Sequence, residues 1–101
     1  MSYRLKFLPA ALDEWSHLDG TIKQQFKKAL KKRLENPHVE SARLHADLAD
    51  CYKIKLRKLG YRLVYQVQDN ELVVIVLAID KRDRLAAYKS ASARLGTSLK
   101  G

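Results

Sequence analysis

After Asp50 the sequence changes period, and that change restricts the chain more than any other feature. Tyr52, Ile54 and Leu56 alternate with Lys53, Lys55 and Arg57, and then Leu63, Tyr65 and Val67 alternate with Arg62, Val64 and Gln66. A two-residue period sends successive side chains to opposite faces, so each run is a strand with one apolar face. A hairpin around Lys58 to Gly60 joins them, Asp69-Asn70 supplies a second tight turn, and Leu72 to Ile79 is apolar on both faces. That last pattern marks a central strand covered on each side.

The cover for such a sheet has to come from elsewhere in the chain. Tyr3, Leu5 and Phe7 alternate with Arg4 and Lys6 as one further strand, and Pro9 suits the first position of a helix carrying Leu12, Trp15 and Leu18 on one face. Gly20 is expected to stop that helix. Thr21 and Gln24 have capping-box spacing for a second helix, striped by Ile22, Phe26, Ala29, Leu30 and Leu34 and closed by Pro37. His38 to Asp50 reads as a connection anchored by Val39, Leu44 and Leu48. Asp80 is expected to cap a last helix striped by Leu85, Tyr88, Ala91 or Ser92, and Leu95, with 96–101 as a frayed tail. The expected order is β-α-α-β-β-β-α in a single domain over 1–101. It is an α+β fold in which helices pack on one face of an antiparallel sheet.

Charge narrows the function. Twenty Lys and Arg against 11 Asp and Glu give a net charge of +9 in 101 residues, which favours a polyanionic partner, nucleic acid before a membrane surface. With 47% hydrophobic residues the chain can bury a core, which excludes disorder as its main state. A lone cysteine, Cys51, forms no internal disulfide and no thiolate metal site, and His17, His38 and His45 fit no zinc spacing, so neither metal nor cofactor is expected. The longest apolar run falls far short of the ~20 residues of a membrane span, and Met1 to Leu8 lacks the apolar core of a secretory signal. A cytoplasmic protein is the expectation.

Lys53, Lys55 and Arg57 leave one strand face roughly 7 Å apart, near the spacing of successive phosphates on a single strand. A four-residue loop, Lys58 to Tyr61, sets Arg57 opposite Arg62 and Lys55 opposite Val64, and gathers Lys53, Lys55, Arg57 and Arg62 on one exposed face. Like charges placed opposite one another destabilise a sheet, so an anion site is a competing explanation to a merely solvated face. Lys81, Arg82 and Arg84 crowd the start of the last helix, where a phosphate would be favoured. On the second helix Lys23, Lys27, Lys28, Lys31, Lys32 and Arg33 make an outer face of one sign. Solvation is its ordinary explanation, and contact with RNA is the functional one.

The runs Asp50-Cys51-Tyr52-Lys53-Ile54-Lys55-Leu56-Arg57 and Gly60-Tyr61-Arg62-Leu63-Val64-Tyr65-Gln66-Val67, followed by Lys81-Arg82-Asp83-Arg84 and Tyr88, resemble the RelE toxins of bacterial toxin–antitoxin systems. The resemblance covers nearly the whole chain. It implies a compact microbial-ribonuclease-like fold and a ribosome-dependent endoribonuclease that cuts messenger RNA in the A site of the 70S ribosome. It also implies docking on 16S rRNA and silencing by a cognate RelB-like antitoxin. Lys53, Lys55, Arg62, Arg82 and Tyr88 become the implied catalytic set. Arg57, Arg84, Lys81, Lys27 and Lys31 become RNA contacts, with Arg43 or His45 in place of an arginine that many members carry in the preceding loop. The related ParE toxins share the fold and inhibit DNA gyrase; they are the alternative, alongside a noncatalytic basic RNA-binding module.

Overall fold

The alternating runs form strands where their period predicts. The computed structural model describes residues 2–45, 48–81 and 86–98, with side chains over 87–95 of the last stretch. In order these are β1 (Arg4–Phe7), α1 (Pro9–Ser16), α2 (Gly20–Glu35), β2 (Cys51–Leu56), β3 (Tyr61–Gln68), β4 (Val73–Asp80) and α3 (Ala86–Ser98), with short 3-10 turns at Glu40–Ala42 and Asp69–Glu71. The expected element order holds. Helix α3 continues through 96–98, into the segment expected to fray.

The sheet has the order β1-β4-β3-β2. β2 and β3 pair antiparallel, as do β3 and β4, but β1 runs parallel to β4 with Arg4 opposite Val73 and Phe7 opposite Val76. The sheet is mixed, which corrects the antiparallel expectation. β4 is apolar on both faces and needs both edges paired, and the excursion through α1, α2 and the hairpin brings the chain back along the direction of β1.

The helices also divide between the two faces, where one was expected. Helices α1 and α2 bury Ala11, Ile22, Phe26 and Leu30 against Tyr52, Ile54, Leu63, Tyr65, Val67, Val74 and Val76. Helix α3 buries Ala87, Ala91 and Leu95 against Leu48, Cys51, Val64, Leu77 and Ala78 on the opposite face. The reason lies in the strands. Val64 and Ala78 are 0% exposed, and without α3 this apolar surface would lie in water at roughly 25 cal/mol for each Å².

A bulge in β4 shapes that second face. Val64 pairs with Ala78 and Tyr65 with Val76, so Leu77 is the extra residue. Leu77 and Ala78 therefore both face α3, Ile79 returns to the first core, and Asp80 falls on the α3 face beside Arg62. Two local expectations change. Gly20 opens α2 instead of closing α1, whose end is tied by the His17 and Leu18 N–H groups to the Glu14 and Trp15 carbonyls. Ala11 takes the buried position and leaves Leu12 52% exposed. Asp80 closes β4, its carboxylate accepting the Lys81 N–H at 2.6 Å; residues 82–85, which the expected cap concerns, lie outside the described residues.

Candidate active site

The face of the sheet under α3 carries the cations that the sequence singles out. Leu56 is paired with Tyr61, which leaves Arg57–Gly60 as the loop. Gly60 adopts φ +73, a conformation that a residue without Cβ takes freely, and its N–H closes on the Leu56 carbonyl at 2.8 Å. The loop thus starts one residue earlier than expected and Arg57 sits in the turn. Lys55 faces Arg62 and Lys53 faces Val64, a two-residue shift from the expected pairing that keeps Lys53, Lys55 and Arg62 on their expected face.

Across β2, β3 and β4 the register sets Lys55, Arg62 and Asp80 in one row. With strands ~4.8 Å apart, the row spans about 10 Å. Lys53 lies two residues from Lys55 on the same face. Lys53 and Arg62 are half-buried, while Lys55 and Arg57 are exposed. An open concavity of about 390 Å³ is lined by Lys55, Leu56, Arg57, Gly60, Tyr61, Arg62 and Lys81. The Lys81 ammonium stands 5.6 Å from the centre of the Tyr61 ring, a cation–π distance that ties the end of β4 to the start of β3. Within this cationic surface the Nε–H of Arg62 is buried and meets no acceptor among the described residues. A buried donor without a partner costs about 1–3 kcal/mol, a cost that an incoming phosphate oxygen would remove.

Tyr88 is half-buried on α3 and packs against the Leu48, Cys51 and Val64 cluster, so it shares the face of the lysines. Arg82 and Arg84 lie outside the described residues. Arg43 does not join the row. It bridges to Tyr52 beyond the outer edge of β2, on the face away from α3, and its guanidinium stands 3.4 Å from Glu40. His45 is exposed in the following loop. Lys27 and Lys31 are exposed on α2, in the layer on the other side of the sheet. The two basic surfaces lie on opposite layers and meet at the β2 edge, where one concavity lined by Lys28, Lys31 and Leu56 adjoins another lined by Gln25, Lys55, Leu56 and Arg57. Among the described residues, no group of three or more His, Cys, Asp or Glu side chains could hold a metal ion.

Two residues of structural weight were not legible as such. Asp80, read as a helix cap, puts a carboxylate beside Arg62; only the bulge sends it to this face. Arg33, read as one more outer cation, turns inward. Its guanidinium donates to the Lys53 carbonyl at 3.1 Å and to the Tyr65 hydroxyl at 2.9 Å, and lies 5.7 Å from the Tyr65 ring centre. It thereby ties the edge strand β2 at a lysine of the site. Tyr65, stacked on Tyr52, donates in turn to the Pro37 carbonyl at 2.8 Å. Burial pushes the Tyr65 phenol above its ordinary pKa and Arg33 opposes the shift, so the hydroxyl keeps its proton and its donor role.

A family model described as the ParE toxin of type II toxin-antitoxin system, parDE, matches residues 5–86. A putative RelE-like toxin protein of Escherichia coli is 53% identical over 95 residues, which cover 94% of this chain and 99% of the relative. The mRNA interferase toxin RelE of E. coli strain K12 is 47% identical over the same coverage. The structure superposes on a mutant E. coli toxin RelE in the free state with a TM-score of 0.86 at 45% identity, covering 94% of this chain and 99% of the other. It superposes on the intact E. coli RelBE toxin–antitoxin complex with a TM-score of 0.78 at 48% identity, covering 82% and 100%.

Proposed function

The chain belongs to the RelE/ParE family of type II toxins, and from that premise we propose that it is an mRNA interferase, an endoribonuclease silenced by a cognate antitoxin. The observation that carries the reading is the row of Lys55 and Arg62 beside Lys53, with the Nε–H of Arg62, which meets no acceptor among the described residues, at its centre. The 47% identity to an mRNA interferase over almost the full chain supports it. The messenger is cut in the A site of the ribosome, and the protein works in the cytoplasm; among the described residues no helix is long and apolar enough to cross a membrane.

The chemistry follows from what the face offers. The 2′-hydroxyl attacks the neighbouring phosphorus, an O2′–P bond forms, the P–O5′ bond breaks, and the products are a cyclic phosphate and a 5′-hydroxyl. Lys55 takes the proton of the 2′-hydroxyl. Lys53 and Arg62 hold the charge that builds on the non-bridging oxygens, with the Arg62 Nε–H as one donor. Arg82 stabilises the charge on the leaving O5′, which takes a proton from water to become the 5′-hydroxyl, and Tyr88 stacks the displaced nucleotide. A free lysine has a pKa near 10.4 and is neutral in about one molecule in a few thousand at pH 7, so such a site depends on exact placement of its substrate. Dependence on the ribosome agrees with that demand. Lys27 and Lys31, on the opposite layer, provide a surface for 16S rRNA.

The test is to add the protein to ribosomes holding a defined codon in the A site and to map RNA ends. Cuts within that codon bearing 5′-hydroxyl ends are expected. Intact RNA together with inhibition of gyrase supercoiling would assign the chain to the ParE activity instead.

A further inference from the structure

β1 stops pairing with β4 at Phe7 opposite Val76, and the Leu8 N–H takes the Val76 carbonyl at 3.0 Å. Past that point the edge of β4 is completed by two side chains. The Glu14 carboxylate on α1 accepts the Ile79 N–H at 3.0 Å, and the Arg94 guanidinium on α3 donates to the Leu77 carbonyl at 2.7 Å. The two side chains also meet each other as a fork, Nη1 to Oε1 and Nη2 to Oε2, both at 2.9 Å. They are 29% and 23% exposed, which shields the pair from much of the solvent screening that weakens surface ion pairs. A helix from each side of the sheet is thus locked to the same stretch of β4 at its bulge.

Among the described residues α3 buries Ala87, Ala91 and Leu95, with Tyr88 packed against the same cluster. Two of the three buried side chains are alanines, which contribute little apolar area, whereas the Arg94 fork adds a directional constraint on where the helix lies. Tyr88 directly follows Ala87, so any shift of α3 moves its ring relative to Lys53, Lys55 and Arg62. Lys81 and Asp80 directly follow the pinned Ile79.

We propose that Glu14 and Arg94 are positioning residues of the RNA-cleaving site, a clamp that sets α3 and the end of β4 so that Tyr88 stands over the cationic row. This rests on the reading of the α3 face as the site of RNA cleavage. Neither residue touches RNA. Both act through Tyr88 and the end of β4.

The test uses Glu14→Gln and Arg94→Lys in the full chain, with two readouts. Cys51 is 0% exposed beneath α3, so its labelling by a thiol reagent without RNA reports lifting of that helix. Both variants should label at least about tenfold faster than the parent protein, and by more than their loss of global stability in urea accounts for. Labelling at the parent rate, or an increase that only tracks global stability, overturns the clamp. Single-turnover cleavage on programmed ribosomes is the second readout. Glu14→Gln should lower the maximal rate about tenfold, within the ~10²-fold that a misplacement of about 1 Å can cost, with the half-saturating concentration unchanged within twofold. In a Tyr88→Ala background the same substitution should cost clearly less, about threefold or under, the remainder acting through the end of β4; an equal loss in both backgrounds overturns the positioning role. If the parent protein cuts no RNA, the assignment of the face fails, and the thiol readout still decides whether the pair holds α3.

Discussion

Replacing Tyr65 with Phe removes a single oxygen from the point where α2, the following loop and the edge strand meet. The phenol is fully buried; it donates to the Pro37 carbonyl at 2.8 Å and accepts from Arg33 at 2.9 Å. Pro37 keeps a second donor, the Val39 N–H at 3.0 Å, so its loss is that of an ordinary hydrogen bond, about 1 kcal/mol. Arg33 keeps the Lys53 carbonyl at 3.1 Å and is only half-buried, so its charge-assisted bond is worth about 1 kcal/mol here, below the usual range for a buried one. The sum is about 2 kcal/mol, or a fall in Tm of roughly 10 °C for a chain of this size. Urea melts at pH 7 should show a lower midpoint and an unchanged m-value. Arg33→Met should cost about the same, and the double variant should fall short of additivity by about 1 kcal/mol, because both substitutions remove one shared bond. A cost below about 0.5 kcal/mol for Tyr65→Phe, or strict additivity, would refute the joint as the anchor of β2.

Charge reversal at Lys27 and Lys31 should weaken ribosome binding and flatten its dependence on salt by about one to two logarithmic units per decade, measured as affinity against ionic strength. Asp80→Asn removes a carboxylate about 5 Å along the sheet from Arg62 and should tighten binding of a short single-stranded RNA by about two- to fourfold in a direct titration. Burial opposes the charge of Glu14, yet the Arg94 fork, the Ile79 N–H and the guanidinium charge together outweigh it and hold the carboxyl below the usual carboxylate range. A folded pKa below the unfolded one gives stability that is complete above about pH 4.3 and disappears as pH falls through the folded value. Urea midpoints of the parent protein and Glu14→Gln should therefore differ above about pH 5 and converge in acid. Cys51, whose thiol burial and the nearby Asp50 push up to about 12, should resist labelling at pH 8 in the folded protein, measured against the urea-unfolded chain.

The strands were legible because alternation is a local property. Lys53 and Lys55 share a face by alternation alone, Arg62 joins them once Leu63 and Tyr65 are matched to the apolar face of Ile54 and Leu56, and a two-residue difference in hairpin register leaves that face intact. Helix α2 was equally plain in Ile22, Phe26 and Leu30. What sequence could not carry was long-range. Nothing in Arg4–Phe7 distinguishes a parallel partner from an antiparallel one. The apolar character of Leu72 to Ile79 on both faces did imply two covers, yet the helices were assigned to one. The bulge at Leu77 has no composition of its own, and without it Asp80 reads as a cap. Arg33 sits among lysines of the same helix, and only its distance to the Lys53 carbonyl separates it from them. Glu14 and Arg94 stand 80 positions apart and meet through tertiary structure alone.

On the proposed mechanism the α3 face cleaves RNA through the lysine–arginine row. Its most direct measurement compares the single-turnover rate of the parent protein and Lys55→Ala on ribosomes with a defined A-site codon, alongside their ribosome affinities. Loss of about 10²- to 10⁴-fold in rate, the range for removal of a proton-transfer group, with affinity held within threefold, is the predicted result. Cleavage by Lys55→Ala at close to the parent rate would contradict it.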